Sequence, residues 1–265
     1  MSRTPESQVL PEHGWTRHRP TLVSLANPVL EPGTRVLVLV AHPDDADFTA
    51  GGTLARITGE GAEVSLYVAT SGQKGRDVTV DPDEDQFGAR RRAEQSAAAQ
   101  RLGIDRVQFG PFMDGDTHRQ HMAMVEAFTF AIRCHRPHVL ITSDPFTRLY
   151  HQHPDHRNVG LAALDAAFPA AVMNTYFPDQ LTATDQRVGQ VDVWSVPNIW
   201  LVFSDRDDLV VEMSEQHLAT KQQALSEHWT QRDSHGALTQ HEAVAAAAAA
   251  HRAFVRSESF AHAHG

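Results

Sequence analysis

What is scarce in this chain narrows its class first. A single cysteine in 265 residues excludes an intrachain disulfide, so packing must hold the fold. That residue, Cys134, lies in the apolar stretch MVEAFTFAIRCHRP with no partner base beside it, which reads as a core thiol rather than a nucleophile. No apolar run approaches the ~20 residues that a membrane-spanning helix needs. The opening stretch MSRTPESQVLPEHGWTRHRP sets proline and charge where a secretory leader needs a continuous apolar segment. A cytoplasmic protein without membrane insertion is expected. Basic residues are also in deficit: 23 Lys and Arg face 33 Asp and Glu, and the formal charge of −10 repels phosphate backbones and excludes nucleic acid as the natural partner. The surplus is in histidine, with 17 residues, many of them scattered singly.

From residue 35, short apolar runs alternate with longer helical segments. The strand-like runs are RVLVLVAH (35–42), EVSLYVAT (63–70), RVQFG and HVLITSD (138–144), and between them lie the helix-like FTAGGTLARITGEG, QFGARRRAEQSAAAQRLG and HMAMVEAFTFAIRCHRP. Gly59, Gly61 and Gly103 fall where helix C-termini take a left-handed residue. This alternation predicts an α/β fold, Rossmann-like and doubly wound, with a mostly parallel sheet of order 3-2-1-4-5, helices on both faces and a smaller, irregular C-terminal part. One domain is expected over residues 35–265, preceded by an extension over 1–34 packed on it, with 170–265 the more variable part. Within that part, GLAALDAAFPAAV reads as a helix broken at Pro169, and VDVWSVPNIWLVFS as two strands interrupted by Pro197. SEQHLATKQQALSEH reads as an amphipathic helix capped by Ser214, and the Ala-rich residues 241–260 as a docked C-terminal helix. That last segment would dock in cis or on a neighbouring subunit, which leaves a homo-oligomer open. Residues 73–86, polar and proline-containing, predict a mobile loop over the strand ends.

Two stretches concentrate chemistry. AHPDDAD (41–47) follows the first strand and YHQHPDHRN (150–158) follows the fourth. In the order 3-2-1-4 these strands are neighbours at the point where strand order reverses, the crevice in which such sheets bind ligands. Imidazole and carboxylate are what a catalytic Zn²⁺ takes when it keeps a position open for water, so His42, Asp45 and His156 are the candidate ligands. Fe²⁺, Co²⁺ or Mn²⁺ would suit the same set. Asp44 is then placed to take a proton from a water activated by the ion, and His153 to donate a proton or stabilise an oxyanion. Each motif alone has a structural alternative. HPDD would serve as a helix-capping turn with Asp44 or Asp45 as N-cap, and HPDH as a polar loop.

Together, AHPDDAD and HPDH resemble the signature of the PIG-L/LmbE-like zinc de-N-acetylases, the family that includes N-acetylglucosaminyl-phosphatidylinositol and N-acetylglucosaminyl-inositol deacetylases. The likeness runs from about residue 35 to 168, through TSGQKG (70–75), RRAEQSAAAQRLG (91–103) and FGPFMDGD (109–116), and returns in VRSESF. It implies zinc on His42, Asp45 and His156, Asp44 as general base, and His153 as general acid or electrostatic catalyst. It further implies sugar contacts by Arg91 and Asp114, with a solvated helix charge and an ordinary turn residue as their bland alternatives. Tyr150 or His151 would occupy the place of a tyrosine that assists the substrate carbonyl. Many relatives read HPDDE, whereas Ala46 stands at the glutamate position here and Asp47 follows it, so a hydrogen bond behind the ligands is lost or rerouted. The expected activity is hydrolysis of an N-acyl group, chiefly N-acetyl, from a small amino-sugar conjugate. A hydrolase of a non-sugar amide or ester, or a non-catalytic metal- or sugar-binding relative, is the alternative.

Overall fold

A computed structural model describes residues 30–148, 152–205, 209–231 and 257–262, the last six as backbone. The expectations for residues 1–29, for Tyr150 and His151, and for 241–256 lie outside the described residues.

The parallel strands β1 (Arg35–Val40), β2 (Glu63–Thr70), β3 (Arg106–Phe112) and β4 (Val139–Ser143) alternate with helices α1 (Asp45–Gly59), α2 (Glu84–Arg101) and α3 (His121–His135). Helix α4 (Pro154–Asp165) follows β4. A two-residue ribbon, β5 (Thr184–Asp185) and β6 (Gly189–Gln190), precedes β7 (Asn198–Val202), then β8 (Leu209–Glu212), α5 (Glu215–Ser226) and β9 (Ser257–His262). The main sheet runs β3-β2-β1-β4-β7-β9-β8, so the five parallel strands keep the expected order, with β7 as the fifth. Strand β9 pairs antiparallel with both β7 and β8.

The apolar run of β1 is continuous because both its faces are covered. Val36, Val38 and Val40 join a core with Leu54, Ile57 and Ala98 under α1, α2 and α5, whereas Leu37 and Leu39 join Phe128, Ile132 and Val159 under α3 and α4. Burying each such side chain contributes about 1.5–3 kcal/mol, so the strand that carries the first motif is among the best-anchored elements. Its end is a rigid platform.

Three expectations need correction. Residues 257–260, read as the end of an alanine helix, begin strand β9, which pairs with β8 through Ser257–Phe260 and with β7 through Ala261 and His262. VDVWSVP forms no strand: residues 191–197 cross irregularly, held by Trp194 N–H to the Ala171 carbonyl at 2.9 Å and Trp194 Nε1 to the Pro137 carbonyl at 2.8 Å. Gly59 lies within α1, and the left-handed residues are Gly61 (φ 94°) and Gly103 (φ 74°). Ser214 caps α5 as read, accepting from the His217 N–H. Beyond α4, buried Arg133 fastens the irregular chain through the carbonyls of Ala170, Met173 and Tyr176 at 2.8–2.9 Å.

Candidate metal centre

Strand β1 ends in a turn whose geometry separates two adjacent carboxylates. Asp44 is left-handed (φ 100°, ψ −27°), a region that aspartate tolerates better than most residues. Its N–H is caught by Gln95 Oε1 of α2 at 2.7 Å. The two side chains therefore diverge. Asp45 turns back, its Oδ2 accepting from the N–H groups of Ala41 (3.1 Å) and His42 (2.8 Å), which leaves Oδ1 facing His156 Nε2 at 3.0 Å. Asp44 turns outward to Arg91, whose guanidinium donates to Asp44 Oδ2 at 2.9 Å, to the Gly72 carbonyl at 2.8 Å and to the Pro43 carbonyl. The capping alternative fails on this detail, since Asp44 occupies the N-cap position of α1 with no side-chain cap bond.

The second motif opens α4. His153 is its N-cap, with Nδ1 accepting the Asp155 N–H at 3.1 Å, and Pro154 takes the first-turn position where no N–H is required. One turn along, His156 is buried and stacks on Phe203 at 4.9 Å and 15°. Because β1 and β4 are paired, the two motifs meet. His42 Nδ1 lies 3.2 Å from His156 Nε2, and ligand atoms of His42, Asp45 and His156 all fall within 4.8 Å of one another.

The donor set fits a divalent cation. His42 Nε2 faces Asp114 Oδ1 (3.1 Å) and Asp155 Oδ2 (3.2 Å), so in the neutral ring the hydrogen belongs on Nε2 and Nδ1 is left to face His156 and Asp45. With both imidazoles neutral and their facing nitrogens unprotonated, these rings and the Asp45 carboxylate would direct electron pairs at one point, which is what a cation takes. A histidine that gives its far N–H to carboxylates is the usual way a metal ligand is oriented. His42, His153 and Asp155 form a second compact group, but Asp155 is already bonded to the Gly115 N–H (2.7 Å), Thr117 Oγ1 (2.5 Å) and His42.

The electrostatics follow from burial and pairing. Burial alone would lower the His42 pKa, but its bonds to Asp114, Asp155 and Asp45 outweigh it and hold the ring well above the usual range. Burial would raise Asp45, yet His156 and His42 hold it well below the usual carboxylate range. Asp44 is raised by burial, which outweighs the opposing Arg91 charge. His153 is lowered by burial and then by the charges of His42 and His156. Two neighbouring groups are thus driven toward opposite uses: a buried carboxylate that holds a proton more readily, and an imidazole that stays neutral.

All the predicted residues within the described chain come together here. Arg91 and Asp114 are both buried, at 4% and 3% exposure, and each contacts a motif residue; Asp114 Oδ2 also accepts the Lys74 N–H at 2.6 Å. The loop over 73–83 is tied to α2 by Lys74 and Arg76 on Glu84 and by Arg90 on Asp81. Sequence reasoning assigned no role to Asp155, Thr117, Gln95 or His228. For Gln95 a signal existed: α2 buries Phe87, Arg91, Glu94, Gln95 and Ala98 at helical spacing, a stripe that is polar where an ordinary core stripe is apolar.

Fold and site together define a doubly wound α/β protein with a buried His-Asp-His centre at the carboxyl ends of β1 and β4. The family model for GlcNAc-PI de-N-acetylase (PIG-L) matches residues 37–167. The chain belongs to this family of deacetylases, hydrolases that act on amide bonds. It is 39% identical over 161 residues to the 1D-myo-inositol 2-acetamido-2-deoxy-alpha-D-glucopyranoside deacetylase of Mycobacteroides abscessus, a match spanning 51% of this chain and 57% of the relative. The deacetylase of the same name from Rhodococcus opacus is 31% identical over 239 residues, covering 74% of this chain and 81% of the relative. Among solved structures, the N,N'-diacetylchitobiose deacetylase of Pyrococcus horikoshii superposes with a TM-score of 0.74 at 22% identity, over 87% of this chain and 84% of that one, a likeness of fold. Among the described residues, no helix is long and apolar enough to cross a membrane.

Proposed function

We propose that this chain is a zinc-dependent amidase that removes an N-acyl group, chiefly N-acetyl, from an amino-sugar-containing small molecule, within one domain over residues 35–265 that follows an extension over 1–34. The observation that carries it is the convergence of His42 Nδ1, Asp45 and His156 Nε2, with Asp44 and His153 on its flanks. The family and the names of the inositol-glucosaminide deacetylases support the reaction and the sugar.

When bound by His42, Asp45 and His156, zinc polarises the acyl carbonyl and lowers the pKa of a water toward ~7. Asp44 accepts the proton of the attacking water at its carboxylate, which Arg91 holds in place at 2.9 Å. Burial raises the Asp44 pKa and so makes it the better acceptor. His153 accepts at Nδ1 from the Asp155 N–H, so the neutral ring carries its hydrogen on Nε2. With its pKa lowered, it acts as a neutral hydrogen-bond donor to the developing oxyanion. A neutral imidazole is a poor proton source, so the proton that lets the amine leave is the one Asp44 has taken up. One carboxylate thereby serves both halves of the reaction.

Arg91 and Asp114 are assigned supporting contacts to Asp44 and His42 together with the sugar contacts that the family resemblance implies, and Tyr150 or His151 the assistance to the carbonyl. Arg91→Lys and Asp114→Asn separate the two roles: a lost sugar contact raises KM, whereas lost support lowers kcat. The decisive experiment is metal analysis of the purified chain coupled to amine release from a panel of N-acetylated glucosaminides, non-sugar amides and esters. The proposal predicts one zinc per chain, release from the glucosaminides and its loss in Asp44→Asn. Activity on non-sugar compounds alone would overturn the substrate class. A chain that neither holds zinc nor responds to added divalent ions would overturn the metal.

A further inference from the structure

Behind the turn that presents Asp44 lies a buried polar chain with no part in the chemistry above. Gln95 accepts the Asp44 N–H at Oε1 (2.7 Å) and donates from Nε2 to Asp47 Oδ2 (2.8 Å). The same Asp47 oxygen lies 3.1 Å from Nε2 of His228, 181 residues further along the chain. All three side chains are at most 1% exposed. The amide has one orientation that satisfies both neighbours, because a backbone N–H only donates and an ionised carboxylate only accepts. Two residues beyond His228, Thr230 grips Glu94 through its N–H (3.0 Å) and hydroxyl (2.6 Å), so the loop after α5 holds adjacent positions of α2.

This cluster is poorly designed for stability alone. Asp47 Oδ1 and His228 Nδ1 are buried with no hydrogen-bond partner among the described residues, and a partly satisfied buried network is less stabilising than apolar packing of the same volume. What it does accomplish is to fix an acceptor against the backbone N–H of Asp44, the left-handed residue that opens the turn into α1.

We propose that Gln95, braced by Asp47 and His228, is a positioning residue that locks the left-handed turn at Asp44 and so aims the Asp44 carboxylate at the reacting water. Without that acceptor the Asp44 N–H is left unpaired, the turn relaxes toward ordinary helical φ, and the carboxylate swings off Arg91. The catalytic consequence rests on the proposed function. The structural lock does not.

The two are tested separately in the full chain. Amide hydrogen exchange over residues 41–47 is measured with and without one equivalent of zinc, beside the β2 amides as internal control. Gln95→Met keeps the bulk and removes both hydrogen bonds. It is expected to speed Asp44 exchange about tenfold, the loss of one hydrogen bond, while β2 is unchanged. On the best glucosaminide substrate, kcat should fall about 10–100-fold with KM within threefold and one zinc per chain retained, as for a displaced catalytic group. His228→Leu should act in the same direction and add little to Gln95→Met in the double variant, whereas His228→Gln, which keeps a donor toward Asp47, should stay within about threefold of wild type. Wild-type exchange in Gln95→Met overturns the lock. Faster exchange with kcat unchanged, or a kcat loss matched by lost zinc, overturns the positioning role. If Gln95→Met does not accumulate folded, His228→Leu decides by the same readouts. If wild type releases no amine from any glucosaminide, the functional reading fails while the exchange arm still decides the lock.

Discussion

Gly160 sets the distance between the two halves of the site, and replacing it by alanine tests that claim. Gly160 lies on α4 one helical turn after His156, so the two residues share a face. A Cβ at this position would overlap the Ser143 carbonyl oxygen at the end of β4 by roughly 1 Å, taking ordinary contact as ~3.4 Å. It would also sit 3.2 Å from Pro145 Cδ. The obstacle is backbone, which cannot rotate away, so α4 must move. Two terms oppose each other. Alanine gains about 1 kcal/mol of helix propensity over glycine, whereas overpacking costs about 1–3 kcal/mol, and a backbone overlap belongs at the upper end. A net loss of about 2 kcal/mol should lower the melting temperature by about 4–8 °C at this domain size. Metal geometry is less forgiving, since ligand distances must hold within about 0.2 Å. A shift of His156 by even half the overlap should weaken zinc binding at least about tenfold, as read by competition with a chelating dye. If Gly160→Ala binds zinc with wild-type affinity and melts within 1 °C of wild type, α4 is not registered on β4 through this contact.

Asp155→Ala strips His42 Nε2, the Gly115 N–H and Thr117 Oγ1 of a shared acceptor, and should weaken zinc binding about 10–100-fold in the same competition assay; unchanged affinity would remove Asp155 as the residue that orients His42. His228 is lowered by burial but raised overall by Asp47 and Asp44, so the stability it contributes is fully present below about pH 6.5 and lost as pH rises through its raised folded value. Urea titrations should therefore show the deficit of His228→Gln shrinking from pH 6 toward pH 9, and a deficit that grows with pH would reverse the assignment. Burial pushes the Cys134 thiol up to about 11, which lowers its thiolate fraction at pH 8 about 100-fold relative to an ordinary thiol. Iodoacetamide should label it only after unfolding, and rapid labelling of the native chain would contradict a core position.

The doubly wound half of the fold was legible because its signals are local and repeated. The valines and leucines of β1, the Gly61 and Gly103 helix ends and the two charged motifs at strand ends fix strand order through one topological rule. The grouping of His42, Asp45 and His156 followed from that order. The second half resisted for a different reason: its elements are short and depend on distant partners. Residues 257–262 become a strand only because β7 and β8 lie on either side, and the VDVWSVP segment stays irregular because Trp194 is claimed by Ala171 and Pro137. Residues behind His42, Asp45 and His156 were hidden similarly. Asp155 was in plain view within HPDH, yet its role appears only when Gly115 and Thr117, some forty residues earlier, close over it.

The departure at Ala46 illustrates how a pattern can change while its physical requirement persists. Moving a carboxylate one residue along a helix turns it by about 100°, from one neighbour to another. At position 46 the side chain faces the core beside Val40, Ala50 and Leu54, where an alanine packs without leaving a buried charge to compensate. At 47 it faces α2 and the loop after α5, where Gln95 and His228 both present donors. The chain thus keeps an acid immediately behind the turn that carries Asp44 and Asp45, but connects it to Asp44 through a glutamine rather than through its own helix. Such a connection spans three separate elements: the turn after β1, the buried stripe of α2 and a loop beyond α5. Packing among those elements, and not only the seven residues of the motif, then sets where the Asp44 carboxylate points.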